Sequence, residues 1–184
     1  MASEIERVLS FWIDEVGPDG WYEVSPELDA RITKEFGELW QRAIAGELTR
    51  WTYCAKGSLA LLILLDQFSR NIHRGTGEAF AADRVACRIA KQAIGQGHDK
   101  MIAEPQRQFF YLPLMHSEVL ADQEACVRQI MLKMPKDGAE NLPHAVNHRE
   151  VIRKFGRFPS RNAALGREDS DAELAYRADG GYMS

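Results

Sequence analysis

The chain has 184 residues, which suits one domain. Its 45% hydrophobic and 27% charged residues have the balance of a globular protein and exclude a mostly disordered one. A formal charge of −4 argues against a general nucleic-acid binder, which would be basic. The three cysteines, Cys54, Cys87 and Cys126, form no CxxC pair and read as reduced thiols of a cytoplasmic protein, with Cys87 and Cys126 expected in the core.

The start, Met1-Ala2-Ser3-Glu4, lacks the basic region of a secretory signal. Ser3 and Glu6 then make a capping-box pattern, and Ile5, Val8, Leu9 and Trp12 repeat at helical spacing up to the turn signal Gly17-Pro18-Asp19-Gly20. Ser25-Pro26 opens a second helix, striped by Leu28, Ile32, Phe36, Trp40 and Ala43 and stopped by Gly46. Trp21-Tyr22 and Trp51-Tyr53 stand beside turns, where packing is the simpler reading and the rim of a groove the other.

A third helix is expected over 57–73. Its run from Leu59 to Leu65 is apolar on all sides, far short of the roughly 20 residues of a membrane span and so suited to the middle of a bundle. Phe80, Ala86, Ile89, Ala90, Ala93 and Ile94 mark the next helix. Residues 106–134 hold two helices or one bent at Pro113, which removes a backbone donor. Ala145, Ile152 and Phe155 mark another, which Pro143 could start. Ser170 and Glu173 box the last, and Gly180-Gly181 opens a flexible tail. No run alternates as a strand does. The expectation is an all-α fold: one domain over 1–184, an antiparallel array of about eight helices without a sheet.

Three segments place polar residues where a helical core should be apolar. In the first, Asp66, Arg70 and Arg74 recur every four residues, with Gln67 and Asn71 beside them, directly continuing the most apolar helix. Charges there must be paired or must face a cleft. In the second, Arg107 and Tyr111 are one turn apart, and His116 and Glu118 follow Pro113. His116 can titrate near neutral pH and serve as acid or base, or it can be a satisfied core residue. The third runs from His148 through Arg157, Phe158, Arg161 and Asn162 to Arg167. Arginine forks suit carboxylate or phosphate, and they could equally pair Asp66 and Glu118. His144 and His148 have helical metal-ligand spacing but no third ligand, so neither a metal nor a cofactor is expected. The common nucleotide and hydrolase motifs are absent.

Read together, these segments make the chain similar to the bacterial domain-of-unknown-function 924 family. The resemblance runs from Val8-Leu9-Ser10-Phe11-Trp12 to near Glu173. It is strongest over 62–71 with Arg74-Gly75-Thr76, over 111–118, and over 155–162 with Leu165-Gly166-Arg167. It implies an all-helical architecture like that of tetratricopeptide arrays, and it names no reaction. The chain has Ser69 where the family commonly has proline, Met115 where it has glutamate and Ser160 where it has histidine. The family-like Asp66, Gln67, Arg70, Asn71, His116, Glu118, Gln123, His148, Arg157, Arg161 and Asn162 are present.

Three readings follow. In the first, Arg70, Arg157 and Arg161 clamp a small anionic metabolite, with Gln67, Asn71, Arg74, Arg107 and Asn162 as further binding residues. Asp66, Glu118, His116 and His148 then supply acid–base groups. In the second, a helical groove holds an acidic peptide. In the third, the polar residues form a buried network that fixes helix register. Neither nucleic acid nor membrane is an expected partner, and nothing in the sequence sets an oligomeric state.

Overall fold

The computed structural model describes residues 3–182 and contains eight helices and, among those residues, no strand. Helix α1 spans residues 4–16. The Ser3–Glu6 box caps it, with the Ser3 N–H donating to Glu6 at 3.0 Å and the Glu6 N–H to the Ser3 hydroxyl at 3.3 Å. It ends at Gly17, whose φ of +66° only glycine adopts readily, and one further turn, Gly17–Gly20, leads out. Helix α2, Pro26–Ile44, starts on the Ser25 hydroxyl and buries Ile32, Phe36, Leu39, Trp40 and Ala43. Helix α3 spans residues 55–72, and every residue from 57 to 69 is buried.

The others follow as α4 (Asp83–Gly95), α5 (Leu112–Met115), α6 (Leu120–Lys133), α7 (Gly138–Phe155) and α8 (Asp171–Ala178). Short 3₁₀ turns join them, Gly77–Phe80, Gln106–Phe110 and Pro159–Arg161 among them. The all-round apolar sequence of α3 is matched by all-round contact. Helix α1 packs on its first half, α2 on its second, and α4 along its side. Helices α6 and α7 pair along each other beyond α5. Phe68 of α3 lies at the centre of an aromatic cluster, with ring centroids 5.0 Å from Phe36, 5.4 Å from Trp12 and 5.9 Å from Phe11. No helix is long and apolar enough to cross a membrane.

Some local expectations shift. Pro113 does not bend a helix; it lies in the first turn of α5, where a missing N–H leaves no bond unmade. Pro143 does not start α7. It lies inside, at an exposed position where the carbonyl it leaves unbonded, on exposed Ala139, can meet water. Phe80 belongs to the 3₁₀ turn before α4 rather than to the helix. Of the expected tail, Tyr182 packs against α7, its hydroxyl 2.9 Å from His144 Nδ1, while residues 183–184, like Met1 and Ala2, lie outside the described residues.

The start of α3 is fixed by contact rather than by capping. A β-carbon on Gly57 would come within 2.2 Å of the Trp51 carbonyl oxygen, a backbone atom that cannot swing aside. Gly57→Ala should therefore destabilise the protein by about 2 kcal/mol or more in urea denaturation, at the upper end of ordinary overpacking.

Candidate functional site

The site grows from an irregularity in α3. Residues Ile63–Phe68 wind as a π-helix, a wide turn that recurs at functional sites, and Asp66 and Gln67 lie in it. The Asp66 carboxylate is 1% exposed and surrounded by donors. His116 Nδ1 lies 2.7 Å from its Oδ1, Arg70 Nη1 3.3 Å from the same oxygen, and the Gln67 amide donates to Oδ2. Burial alone would raise the Asp66 carboxyl, but the Arg70 guanidinium and His116 outweigh it and hold it at about 2. Asp66 is therefore an anion at any physiological pH.

That anion fixes His116. The bond to Asp66 puts the ring proton on Nδ1 and leaves Nε2 as an acceptor. Burial and then the nearby Arg70 charge push the imidazole below its usual range against the pull of Asp66, so the ring is neutral at neutral pH. No described residue hydrogen-bonds Nε2.

Arg70 links this pair outward. Its Nη1 donates to the Asp66 carbonyl at 2.7 Å, and its Nη2 reaches both oxygens of Asp83 at 3.1 and 3.2 Å. Asp83 in turn accepts from Arg161 Nη1 at 3.0 Å. The Arg161 guanidinium lies between two rings, 4.5 Å from the centroids of both Phe80 and Phe158. Burial pushes it down to about 10 although Asp83 opposes the shift. Asp66, Arg70, Asp83 and Arg161 thus form one continuous ion-paired chain from α3 through α4 to the late loop.

His116 and Arg70 open on a cavity of about 160 Å³. Gln67, Arg70 and Asn71 of α3 and Arg74 of the turn after it line it, with Leu112 and His116 of the α5 region and the segment Trp21-Tyr22-Glu23. Arg74 is held by Asp29 through two bonds, at 2.6 and 2.9 Å, and Asn71 donates to the same carboxylate at 2.8 Å. The Tyr22 hydroxyl donates to the Gln108 side chain, which also accepts from Asn141 at 2.9 Å.

His148 stands behind His116, with ring centroids 6.3 Å apart. Its Nδ1 donates to the His144 carbonyl at 2.8 Å, and its ring meets Phe158 at 5.4 Å and Tyr182 at 5.3 Å. Burial, and secondarily His116, pushes it down to about 3, so it stays neutral. His144 turns instead to Tyr182.

The residues singled out in the sequence therefore divide. Gln67, Arg70, Asn71, Arg74 and His116 line the cavity, and Asp66, His148 and Arg161 lie in the layer behind. Four others hold loops. Glu118 takes both forks of Arg167 at 2.9 Å and the Phe158 N–H at 2.8 Å, and it is held below the usual carboxylate range by those donors against the effect of burial. Arg157 forms a two-bond pair with Glu173 at 2.7 Å and reaches the Glu168 carbonyl, away from His116. Asn162 donates to Asp169 at 2.7 Å. Arg107 donates to the carbonyls of Asp99, Ile102 and Lys133.

Sequence reasoning did not find Asp83, Asp29 or Glu23. Each is a lone acidic residue near a turn or helix start, with no local pattern to mark it. Ser69, which also continues α3 beside the site, has its side chain fully engaged. Its hydroxyl donates to the Leu65 carbonyl at 2.7 Å and accepts from Trp40 Nε1 at 2.6 Å, which ties α3 to α2.

Comparison with known proteins agrees with this architecture. The profile of the family described as bacterial protein of unknown function (DUF924) matches residues 8–181. A solved protein of unknown function from Agrobacterium tumefaciens is 39% identical, superposes with a TM-score of 0.89, and is matched over 96% of this chain and 97% of its own. No curated protein matches.

Two outcomes follow from the geometry. Asp83→Ala leaves Arg70 and Arg161 facing each other without their shared carboxylate, and it should cost about 3–5 kcal/mol in urea denaturation, the range for breaking a buried pair. His148 should remain neutral down to about pH 3 in the native state, whereas in the unfolded chain it protonates near its ordinary 6.5. The unfolded state then binds the extra proton, so stability should fall as pH drops from about 6.5 towards 3, by at most about 1.4 kcal/mol per pH unit for this residue. His148→Phe should flatten that slope, and histidine NMR titration should find one ring silent between pH 8 and 5.

Proposed function

The chain belongs to this bacterial DUF924 family, and on that premise we propose that it is an enzyme. In this reading the Asp66–His116 pair removes a proton from, or on behalf of, a small anionic metabolite bound beside Arg70 and Arg74. The observation that carries the reading is an imidazole in a cavity wall, with Nδ1 2.7 Å from a buried carboxylate and Nε2 without a hydrogen-bond partner among the described residues.

The chemistry follows from that pairing. A base is useful when its free form is present at working pH and its protonated form is stabilised as it appears. Burial and Arg70 keep His116 unprotonated. When Nε2 takes a proton, the imidazolium faces the Asp66 anion across the existing hydrogen bond. No serine, threonine or cysteine lines the cavity among the described residues. The proton therefore comes from an acidic group of the ligand itself or from a water that attacks it. Arg70 near the end of α3 and Arg74 in the turn after it are each held by a carboxylate, Asp83 and Asp29, and a guanidinium's five N–H groups leave each with donors for an anionic group. The free thiols Cys54, Cys87 and Cys126 suit a cytoplasmic setting.

A second reading, a structural network without a ligand, draws support from the carboxylate of Asp83 shared by Arg70 and Arg161. The tetratricopeptide-like groove for an acidic peptide draws less, because Arg157 and Arg161 are closed onto Glu173 and Asp83.

A thermal-shift screen of small carboxylates and phosphates separates these. A ligand at 100 times its Kd should stabilise the protein by about 2.7 kcal/mol. Arg74→Ala should weaken that shift, and His116→Asn should keep binding while lowering turnover by about 10²–10⁴-fold. If no anion shifts the transition, or Arg74→Ala leaves every shift unchanged, the catalytic reading is wrong.

A further inference from the structure

The cavity's charges are unevenly spent. Arg70 is matched by Asp66 and Asp83, Arg74 by Asp29, and Arg161 by Asp83. Glu23, on the cavity wall, forms no ion pair and no side-chain hydrogen bond among the described residues. The carboxylates at or just behind the wall are Glu23, Asp29, Asp66 and Asp83. With Glu140, whose charge also reaches Tyr22, they outnumber the guanidiniums Arg70, Arg74 and Arg161, and His116 adds no charge while neutral. A bare anion would enter a lining that already has excess negative charge. A positive group beside Glu23 is what the lining lacks.

The residues next to Glu23 suit such a group. Trp21 and Tyr22 precede it on the same wall, and aromatic rings attract cations. The Trp21 indole is held to the Trp12 carbonyl at 2.7 Å, so this wall is anchored on α1. The Tyr22 hydroxyl spends its proton on Gln108, which leaves the oxygen to accept from an incoming N–H. Arg74, on the same lining, has side-chain exposure of 40% and only Asp29 as its partner. The volume, about 160 Å³, lies below the roughly 300–1,000 Å³ of sites for drug-sized ligands.

We infer that the ligand is a small zwitterion, an amino acid or a molecule of that kind, with its ammonium set against Glu23 and Tyr22 and its carboxylate against Arg74. This rests on the proposed use of the cavity as a small-molecule site and adds to it the second charge. The ligand's two ends would fix its orientation before His116 acts.

The experiment uses the whole chain and three matched sets of probes in thermal shift and calorimetry: the common amino acids and short ω-amino acids, the same molecules lacking the amine, and the same molecules lacking the carboxylate. At least one zwitterion should bind tenfold or more tighter than both of its truncated counterparts. Glu23→Gln should remove that advantage, weakening the zwitterion while the amine-free acid binds as well or better, and Glu23→Lys should reverse the preference. Glu23 is exposed, so both variants should fold. Equal binding of the amine-free acids, lost on Arg74→Ala but indifferent to Glu23→Gln, would overturn the zwitterion while keeping the anion site. Binding by none of the three sets would overturn both.

Discussion

A single buried negative charge organises this protein. Asp66 lies in the most enclosed helix, and an uncompensated carboxylate there would be expensive. Its surroundings answer that cost through contacts from several parts of the chain. Arg70 comes from the next turn of the same helix, His116 from the end of α5, and Asp83 and Arg161 extend the compensation outward to α4 and the late loop. The order of these contacts explains why polar segments far apart in the chain meet. Each partner satisfied near Asp66 leaves another group that needs one, until the series ends on Arg161 between two aromatic rings.

The same arrangement couples stability to chemistry. The features that hold the helices in register also set the protonation of His116. A histidine in a dry wall loses its proton readily, and one bonded to a fixed carboxylate keeps a defined orientation. The two effects oppose each other on the ring's affinity for a proton and cooperate on its geometry. His148, without a carboxylate, is pushed much further and remains a neutral packing surface. Two histidines in neighbouring positions thus differ in role because only one of them faces an anion.

The fold was legible in the sequence because its signals are local. The capping boxes at Ser3 and Ser170, the Ser25-Pro26 start, the apolar stripes and the all-round apolar run of α3 appear where the residues place them. Proline was misread twice. At Pro113 and Pro143 the outcome depends on the position within a turn and on exposure, which a string of letters does not carry. The charges beside α3 were legible as an anomaly in an apolar context, and Asp66, Arg70 and His116 do meet. Their partners were not legible. Asp83 and Asp29 become meaningful only when helices packed on α3 bring them to its arginines, and nothing in their own neighbourhoods announces it. Arg157 and Arg161, four residues apart, also looked equivalent, yet the turn at Pro159–Arg161 sends one to Glu173 and the other inward to Asp83.

The contact of Tyr182 with His144 and His148 bears on hydration. The Tyr182 ring covers His148, which in turn lies behind His116, so the rear of the site is closed by an aromatic side chain from beyond α8. Removing that ring would bring water to the back of His148, and a hydrated imidazole regains affinity for a proton. A residue remote in sequence from the cavity thus helps to keep the second histidine an uncharged backing for the first.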